Sequence, residues 1–147
     1  MAFAHLHVHT EYSLLDGSNK IKEYVARVKE LGMNSAAITD HGVMYGVIDF
    51  YRAAREAGIK PILGCEVYVA PNSRFDKELT GGEERYHHLV LLAENNTGYA
   101  NLMKSSAVAL RKDIIINPVW TWKCCRSSTR ELSHCLPALQ VKCPGLF

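Results

Sequence analysis

Three histidines alternate along the first ten residues of the chain: His5, His7 and His9. In an extended strand, residues two apart point to the same face, so the three imidazoles would form one row. Neutral imidazole is the commonest protein ligand for transition metals. Three exposed histidines or the remnant of a purification tag are the alternatives, but a tag is an uninterrupted run, whereas Leu6 and Val8 separate these three. The spacing therefore favours a metal site, provided that later segments supply further ligands.

Further candidate ligands stand beside the predicted strands. Asp16 lies in a turn after the histidines, Asp40 and His41 follow a short run of small residues, and His88 begins an apolar run. Ordinary structural roles are open to them, since aspartates shape turns and cap helices and histidines occur in cores and on surfaces. Glu66 lies among apolar residues, where a carboxylate without a partner would be costly. Their recurrence at successive strand boundaries favours a centre of several histidines and carboxylates.

The elements that must position these residues follow an α/β pattern. Apolar periodicity and turn residues predict the order strand, helix, strand, helix, strand, strand, helix. Ser18 is expected to cap the first helix, and the polar stretch 70–85 is expected to form a mobile loop. The predicted strands are 3–8, 35–39, 62–69 and 88–93, and the predicted helices are 19–31, 45–57 and 95–109.

A largely parallel sheet places its ligand site at the carboxyl ends of its strands. The candidate ligands of the first three strands would therefore converge on one rim. His88 lies instead at the start of its strand. Either that strand runs antiparallel to its neighbour, or its boundary is displaced by a few residues.

Length and composition exclude several classes of protein. The 147 residues suffice for one domain with a sizeable core. The net charge of +2 is too small to indicate nucleic-acid binding by itself. The sequence contains neither an apolar run long enough to cross a membrane nor the pattern of a secretory signal, so it predicts a cytoplasmic protein.

The segments that carry the candidate ligands resemble the motifs of the polymerase-and-histidinol-phosphatase (PHP) domain. Residues 7–17, His-Val-His-Thr-Glu-Tyr-Ser-Leu-Leu-Asp-Gly, resemble its first motif. The Glu-Tyr-Ser-Leu-Leu-Asp-Gly part is most similar to the version in the alpha subunits of bacterial DNA polymerase III, the C family of replicative polymerases. Thr-Asp-His-Gly at 39–42 resembles the second motif, and 61–66 and 87–93 also fit. The resemblance covers residues 1 to about 104.

The resemblance implies a distorted seven-stranded (β/α) barrel, of which this chain would hold the first strands and helices. It also implies a cluster of two or three divalent ions, Zn²⁺ or Mn²⁺, at the barrel rim. Asp40 would be a neighbouring residue of the catalytic site that orients His41, while His5 would be a strand residue near the site. The metal ligands implied by the resemblance are His7, His9, Asp16, His41, Glu66 and His88.

The same resemblance implies a reaction. Bound metal would activate a water for in-line attack on a phosphodiester or a pyrophosphate. In a DNA-directed DNA polymerase this would serve 3′-to-5′ proofreading or pyrophosphate removal, with DNA, the proofreading exonuclease and the sliding clamp as partners. One alternative is a stand-alone PHP phosphatase that acts on a small phosphomonoester such as histidinol phosphate, and the other is a non-catalytic scaffold that docks the exonuclease. The polymerase-type first motif disfavours the former, and the intact His-x-His disfavours the latter.

The last quarter of the chain differs from the rest. Residues 105–147 contain four of the five cysteines, both tryptophans and only two acidic residues, and the cysteines lack the paired spacing of structural zinc sites. Written as GAT ATT ATT ATA AAC CCC, the codons of Asp113 to Pro118 give Tyr-Tyr-Tyr-Lys-Pro when they are read from the third base. Permitted codons allow the whole tail, shifted in this way, to resemble the continuation of the polymerase family. We therefore expect a partial PHP domain over 1–104 and an irregular, frameshifted tail over 105–147, with little activity in the fragment alone.

Overall fold

The structure is a computed structural model of the chain. It describes residues 3–14, 16–69, 87–112, 119–120 and 135–136. The predicted loop over 70–85 and most of the tail therefore lie outside the described residues. The elements are α1 (Ile21–Glu30), β1 (Ser35–Ile38), α2 (Val47–Glu56), β2 (Lys60–Val69), β3 (His87–Leu92), α3 (Asn96–Lys112), β4 (Val119–Trp120) and β5 (Cys135–Leu136).

The described strands form one mixed sheet in which β2 is central. β1 runs parallel to β2, with Ser35 opposite Lys60, and β4 also pairs with β2 in parallel. β3 runs antiparallel to β2, and β5 runs antiparallel to β3. The fold is thus α/β as predicted, and the antiparallel option for the strand that begins near His88 is confirmed. The start of β3 consequently meets the carboxyl end of β2.

Residues 3–10, the N-terminal segment, run beside β1 with a bend at His7 and do not form a regular strand. Ala37 N–H donates to the His5 carbonyl (3.1 Å), and Thr39 N–H donates to the Val8 carbonyl (2.9 Å). Val8 N–H, however, donates to the Thr39 hydroxyl (2.8 Å) instead of a backbone carbonyl. The prediction of a regular strand here is wrong, because a side chain takes one hydrogen bond of the backbone ladder.

The start of α1 also differs from the prediction. Lys20 occupies the N-cap position without a side-chain hydrogen bond, so the expected cap by Ser18 is wrong. Asn19 still belongs to the preceding loop, because its carbonyl accepts a hydrogen bond from Glu11 N–H (3.0 Å). The Glu11 carboxylate accepts the first helical N–H, from Ile21 (3.4 Å), so a glutamate from that loop serves the helix terminus.

Two apolar clusters hold the sheet and helices together. The first packs the buried faces of α1 and α2 against β1, with Phe50 at its centre and fully buried. The second packs β2 and β3 near Leu102 of α3. Cys65, Val67 and Val69 point into this second cluster, so strand alternation turns the intervening residues of β2 to the opposite face. That opposite face carries the candidate site.

None of the helices in the described part of the chain is both long enough and apolar enough to span a lipid bilayer.

Candidate metal centre

Glu66 lies at the centre of the candidate site. Its side chain is only 3% exposed. Its Oε2 lies 2.6 Å from His7 Nε2 and 2.7 Å from His9 Nε2, and its Oε1 lies 2.7 Å from His88 Nδ1. One buried carboxylate on β2 therefore contacts imidazoles from the N-terminal segment and from β3.

Asp16 forms a second group of contacts beside the first. Its Oδ2 lies 2.8 Å from His9 Nδ1 and 2.8 Å from His41 Nε2. His9 thus uses one ring nitrogen toward Asp16 and the other toward Glu66. His9 therefore connects the two carboxylates of the site.

Backbone pairing beyond the end of β1 brings His41 to Glu66. Glu66 N–H donates to the Asp40 carbonyl (3.0 Å), and Gly42 N–H donates to the Glu66 carbonyl (2.7 Å). These bonds form an isolated parallel bridge between His41 and Glu66. The Ser13 hydroxyl accepts the N–H of His41 (2.9 Å), which ties this segment to the loop that carries Asp16.

The loop over residues 10–19, the Asp16 loop, is closed by hydrogen bonds at its base. Asn19 Nδ2 donates to the His9 carbonyl (2.8 Å), and Thr10 and Asn19 form an isolated parallel bridge. Asp16 N–H donates to the Ser13 carbonyl (3.1 Å) inside the loop. The closure ties Asn19, three residues after Asp16, to the backbone of His9.

Gly17 is the position where the Asp16 loop has least room for a side chain. A Cβ at Gly17 would lie 1.8 Å from the Thr10 carbonyl oxygen. We expect Gly17→Ala to lower the free energy of unfolding by about 1–3 kcal/mol, because the loop must open to relieve the overlap. The opening would displace Asp16 and weaken metal binding as well. Urea denaturation and a Zn²⁺ titration measure the two effects.

Gly32 supplies the matched control for this prediction. Its φ is +71°, and a Cβ there would meet no atom within 4 Å. Asn tolerates this backbone conformation, so Gly32→Asn is expected to leave metal binding unchanged. Equal Zn²⁺ affinities for the Gly17→Ala and Gly32→Asn variants would contradict the proposed role of the loop.

Asp40 makes contacts that differ from those expected. The residue is 1% exposed. Its Oδ1 accepts the N–H of Thr10 (2.6 Å), and its Oδ2 accepts the Thr10 hydroxyl (2.8 Å). Burial raises the pKa of the Asp40 carboxyl. The hydrogen bonds from Thr10 act in the opposite direction, but the net shift is upward. Among the described contacts the carboxylate does not hold the His41 ring. Through its hydrogen bonds with Thr10, the Asp40 carboxylate instead fixes the backbone directly after His9. Asp40 of the second motif thus holds the first motif in place.

The charges of the site suit a cation. Burial by itself would raise the pKa of Glu66, but the hydrogen bonds from His9, His7 and His88 and the charge of nearby His41 lower this pKa to about 2. The hydrogen bond to Glu66 raises the pKa of His9, whereas burial lowers the pKa of His41. Glu66 is therefore an anion at neutral pH, and His41 is neutral there, which are the forms that bind metal.

The raised pKa of His9 predicts the pH dependence of metal binding. If His9 is a ligand as predicted, a proton on its ring would compete with the metal ion, and the raised pKa lets that proton persist above the usual 6.5. We expect Zn²⁺ affinity to be highest at mildly alkaline pH and to fall as the pH drops through the pKa of His9. Zn²⁺ titrations at several pH values measure this, and an affinity that does not change across that range would contradict it.

The described side chains have the arrangement and the donor atoms that a metal centre requires. They form three overlapping groups of three, and the ligand atoms of each group lie within 4.8 Å of one another. His41 Nδ1 is buried without a hydrogen-bond partner, as expected for a nitrogen whose lone pair is intended for a cation. Imidazole nitrogen and carboxylate oxygen suit Zn²⁺ and Mn²⁺. The groups are His7 with His9 and Glu66, His9 with Asp16 and His41, and His41 with Glu66 and His88.

The structure thus brings together all the residues that the sequence analysis predicted as ligands, and their role as ligands stays a prediction. His5 lies outside the three groups, and its ring packs edge-on against Phe3 with centroids 4.8 Å apart. Two further residues of the site were not predicted from the sequence: Asn19 at the base of the Asp16 loop and Tyr68 beside His41. Strand alternation from Glu66 was the one signal that could have indicated Tyr68, which lies two residues further on.

Comparison with known proteins identifies relatives of the chain. The sequence model of the PHP domain matches residues 5–139. DNA polymerase III subunit alpha of Helicobacter pylori is 54% identical over 108 residues, which cover 74% of this chain and 9% of that protein. The subunit of Treponema pallidum is 48% identical over 118 residues, which cover 80% of this chain and 10% of that protein. The chain spans about a tenth of the length of these curated relatives.

A solved structure shows the same fold. An amidohydrolase from Chromobacterium violaceum, solved with bound sulfate and without metal, superposes with a TM-score of 0.52 at 22% sequence identity. The match covers 74% of this chain and 33% of that protein. Since the family model matches far more than half of the residues, the chain belongs to the PHP domain family.

Proposed function

We propose that the candidate site binds divalent metal ions, Zn²⁺ or Mn²⁺. The observation that carries the proposal is the buried carboxylate of Glu66, which contacts the imidazoles of His7, His9 and His88 within 2.7 Å. Bringing a buried anion and several partly desolvated imidazoles together costs free energy of desolvation. A bound cation would offset that cost. The proposed ligands are His7, His9, Asp16, His41, Glu66 and His88.

We further propose that this centre hydrolyses phosphate esters in the DNA polymerase III alpha subunit. When bound, the metal ions would supply Lewis acidity that activates water and stabilises negative charge on the phosphate. The residues of the chain do the positioning: Glu66 presents its two oxygens to different imidazoles, and Asp40 holds the backbone beside His9. The proposed substrates are the phosphodiester of a DNA 3′ end, as in 3′-to-5′ proofreading, and pyrophosphate.

The relatives support a role in DNA replication. Those reported above are DNA polymerase III alpha subunits, of which the chain spans about a tenth. We propose that the complete protein is a cytoplasmic DNA-directed DNA polymerase, a nucleotidyltransferase that acts on DNA together with a proofreading exonuclease and a sliding clamp. The nucleotidyl transfer itself belongs to parts of that protein other than the PHP domain.

A comparison of substrates tests this function. The complete subunit and the present chain are each assayed with Mn²⁺ or Zn²⁺ on a DNA 3′ end, on pyrophosphate and on histidinol phosphate. We expect the complete subunit to hydrolyse the DNA end or pyrophosphate, and the chain alone to show little activity. Preferential hydrolysis of histidinol phosphate would support a phosphatase instead. Bound metal without hydrolysis of any substrate would support a scaffold that docks the exonuclease.

We also propose that residues 105–147 are a frameshift product appended to a partial PHP domain over 1–104. The change of composition at this boundary supports it, as does the family-like sequence in the shifted frame. Two observations oppose this proposal. The family model matches the chain as far as residue 139, and β4 and β5 pair with the sheet. Sequencing the gene decides, because a template without the shifted open frame would overturn the proposal.

A further inference from the structure

Tyr68 is a residue of the site to which neither the motifs nor the proposed reaction gives a role. It follows Glu66 by two residues on β2, so the two side chains share one face of the sheet. In the antiparallel register of β2 and β3, Tyr68 lies directly opposite His88. Directly opposed side chains on neighbouring strands are in contact distance. The sheet therefore places a phenol ring beside the candidate metal centre.

The ring of Tyr68 contacts two proposed ligands that come from different parts of the chain. It lies nearly parallel to the His41 ring, with centroids 5.6 Å apart and an interplanar angle of 17°. It meets the His88 ring edge-on, with centroids 4.8 Å apart and an angle of 78°. Both are preferred arrangements of aromatic pairs. Tyr68 thus connects the segment after β1 with the start of β3.

His41 has a particular need for such a contact. Histidine ligands are usually oriented by a hydrogen bond at the ring nitrogen that does not bind metal. His41 Nε2 faces Asp16, whereas His41 Nδ1 is buried without a hydrogen-bond partner and lies 3.7 Å from Glu66 Oε2. Among the described residues, the one contact of hydrogen-bond length at this ring is therefore with Asp16, which is itself a proposed ligand. The Tyr68 ring, packed against the face of the imidazole, adds a second restraint on its rotation.

We propose that Tyr68 is a positioning residue of the metal centre, whose ring holds His41 and His88 in the orientation that binds metal. The inference rests on the proposed function, because it assumes that both histidines are ligands. The aromatic ring carries the role, because the contacts with His41 and His88 are ring contacts. Without the ring, both imidazoles gain rotational freedom that must be lost again when a metal binds.

Cobalt binding to the 147-residue chain tests the inference. Co²⁺ reports ligand geometry through its visible absorption, and a titration gives its affinity. We expect Tyr68→Phe to bind Co²⁺ with the affinity and spectrum of the unsubstituted chain. Tyr68→Leu is expected to bind about 10-fold to 100-fold more weakly, which is the usual effect of losing an orienting neighbour, and with a changed spectrum. Tyr51→Leu, an equivalent change on the exposed face of α2, is the matched control and is expected to change neither.

The outcomes separate this inference from the proposed function. If the unsubstituted chain does not bind Co²⁺, the proposed metal site itself fails. If it binds Co²⁺ and Tyr68→Leu binds equally well with the same spectrum, only the role of Tyr68 is overturned. Circular dichroism of the metal-free variants checks folding, with Tyr68→Met as a second variant without a ring. Loss of the metal-free fold in both the Leu and Met variants would show a structural role and would also overturn the inference.

Discussion

Replacing His9 with alanine is expected to lower the affinity of the chain for Zn²⁺ by more than about 100-fold, beyond the range typical of residues that only orient a ligand. His9 Nε2 lies 2.7 Å from Glu66, and His9 Nδ1 lies 2.8 Å from Asp16. Two of the three possible ligand groups contain this residue, so its removal disables both of them. Competition with a chromophoric chelator measures the affinity. In the complete polymerase subunit, the same substitution is expected to abolish metal-dependent hydrolysis.

His5→Ala is the matched control, because His5 belongs to the same extended segment and lies outside the three groups. Its ring packs against Phe3, so the substitution removes an imidazole without removing a proposed ligand. We expect the control to retain Zn²⁺ affinity within a factor of about two, since it touches no orienting contact of the site. The interpretation is wrong if His9→Ala and His5→Ala bind Zn²⁺ equally, or if His9→Ala leaves hydrolysis untouched.

Glu66→Gln is expected to have a comparably large effect, because it removes the central charge and almost preserves the shape. Glu66 belongs to two of the three groups and contacts histidines through both oxygens. An amide offers one neutral oxygen in place of two charged ones and binds Zn²⁺ and Mn²⁺ far more weakly. We expect the variant to retain far less Zn²⁺ after gel filtration than the unsubstituted chain, because only the group of His9, Asp16 and His41 lacks Glu66. Glu94→Gln, an exposed position after β3, is the control and is expected to bind metal normally.

Glu66→Gln is also expected to change the acid stability of the metal-free chain. The pKa of Glu66 is lowered from 4.5 to about 2 in the folded protein. A lowered carboxyl pKa stabilises the fold above the unfolded value and loses that contribution as the pH falls through the folded value. The metal-free chain should therefore lose this contribution between pH 4.5 and about 2. The Glu66→Gln variant lacks this contribution, so its free energy of unfolding should change less between pH 4.5 and about 2. Identical pH profiles would contradict the assignment.

Much of the site could be predicted from the sequence because short-range rules determine it. Alternation in an extended segment puts His7 and His9 on one side, and convergence at the carboxyl ends of parallel strands brings Glu66 to them. The antiparallel return of β3 adds His88 from the opposite direction. The sequence left that direction open, since a strand boundary alone does not reveal which neighbour a strand pairs with.

The remaining features depend on contacts that no local pattern encodes. Asp40 precedes His41 in sequence, yet its carboxylate binds Thr10, which is thirty residues distant. Thr39 interrupts the pairing of the N-terminal segment through a hydroxyl that could equally have faced elsewhere. Glu11 displaces Ser18 in serving the start of α1 because the loop before the helix is closed by its own bonds. Each depends on the relative placement of two segments, which only the folded chain specifies.

The metal content of the purified chain shows whether the proposed site binds metal. The metal-free protein is equilibrated with Zn²⁺ at mildly alkaline pH, passed through gel filtration and analysed by mass spectrometry, beside Glu66→Gln and Glu94→Gln. We expect zinc in molar proportion to the chain for the unsubstituted protein and for Glu94→Gln, and far less for Glu66→Gln, which keeps only the group of His9, Asp16 and His41. A folded, unsubstituted chain that retains no more zinc than Glu66→Gln would contradict it.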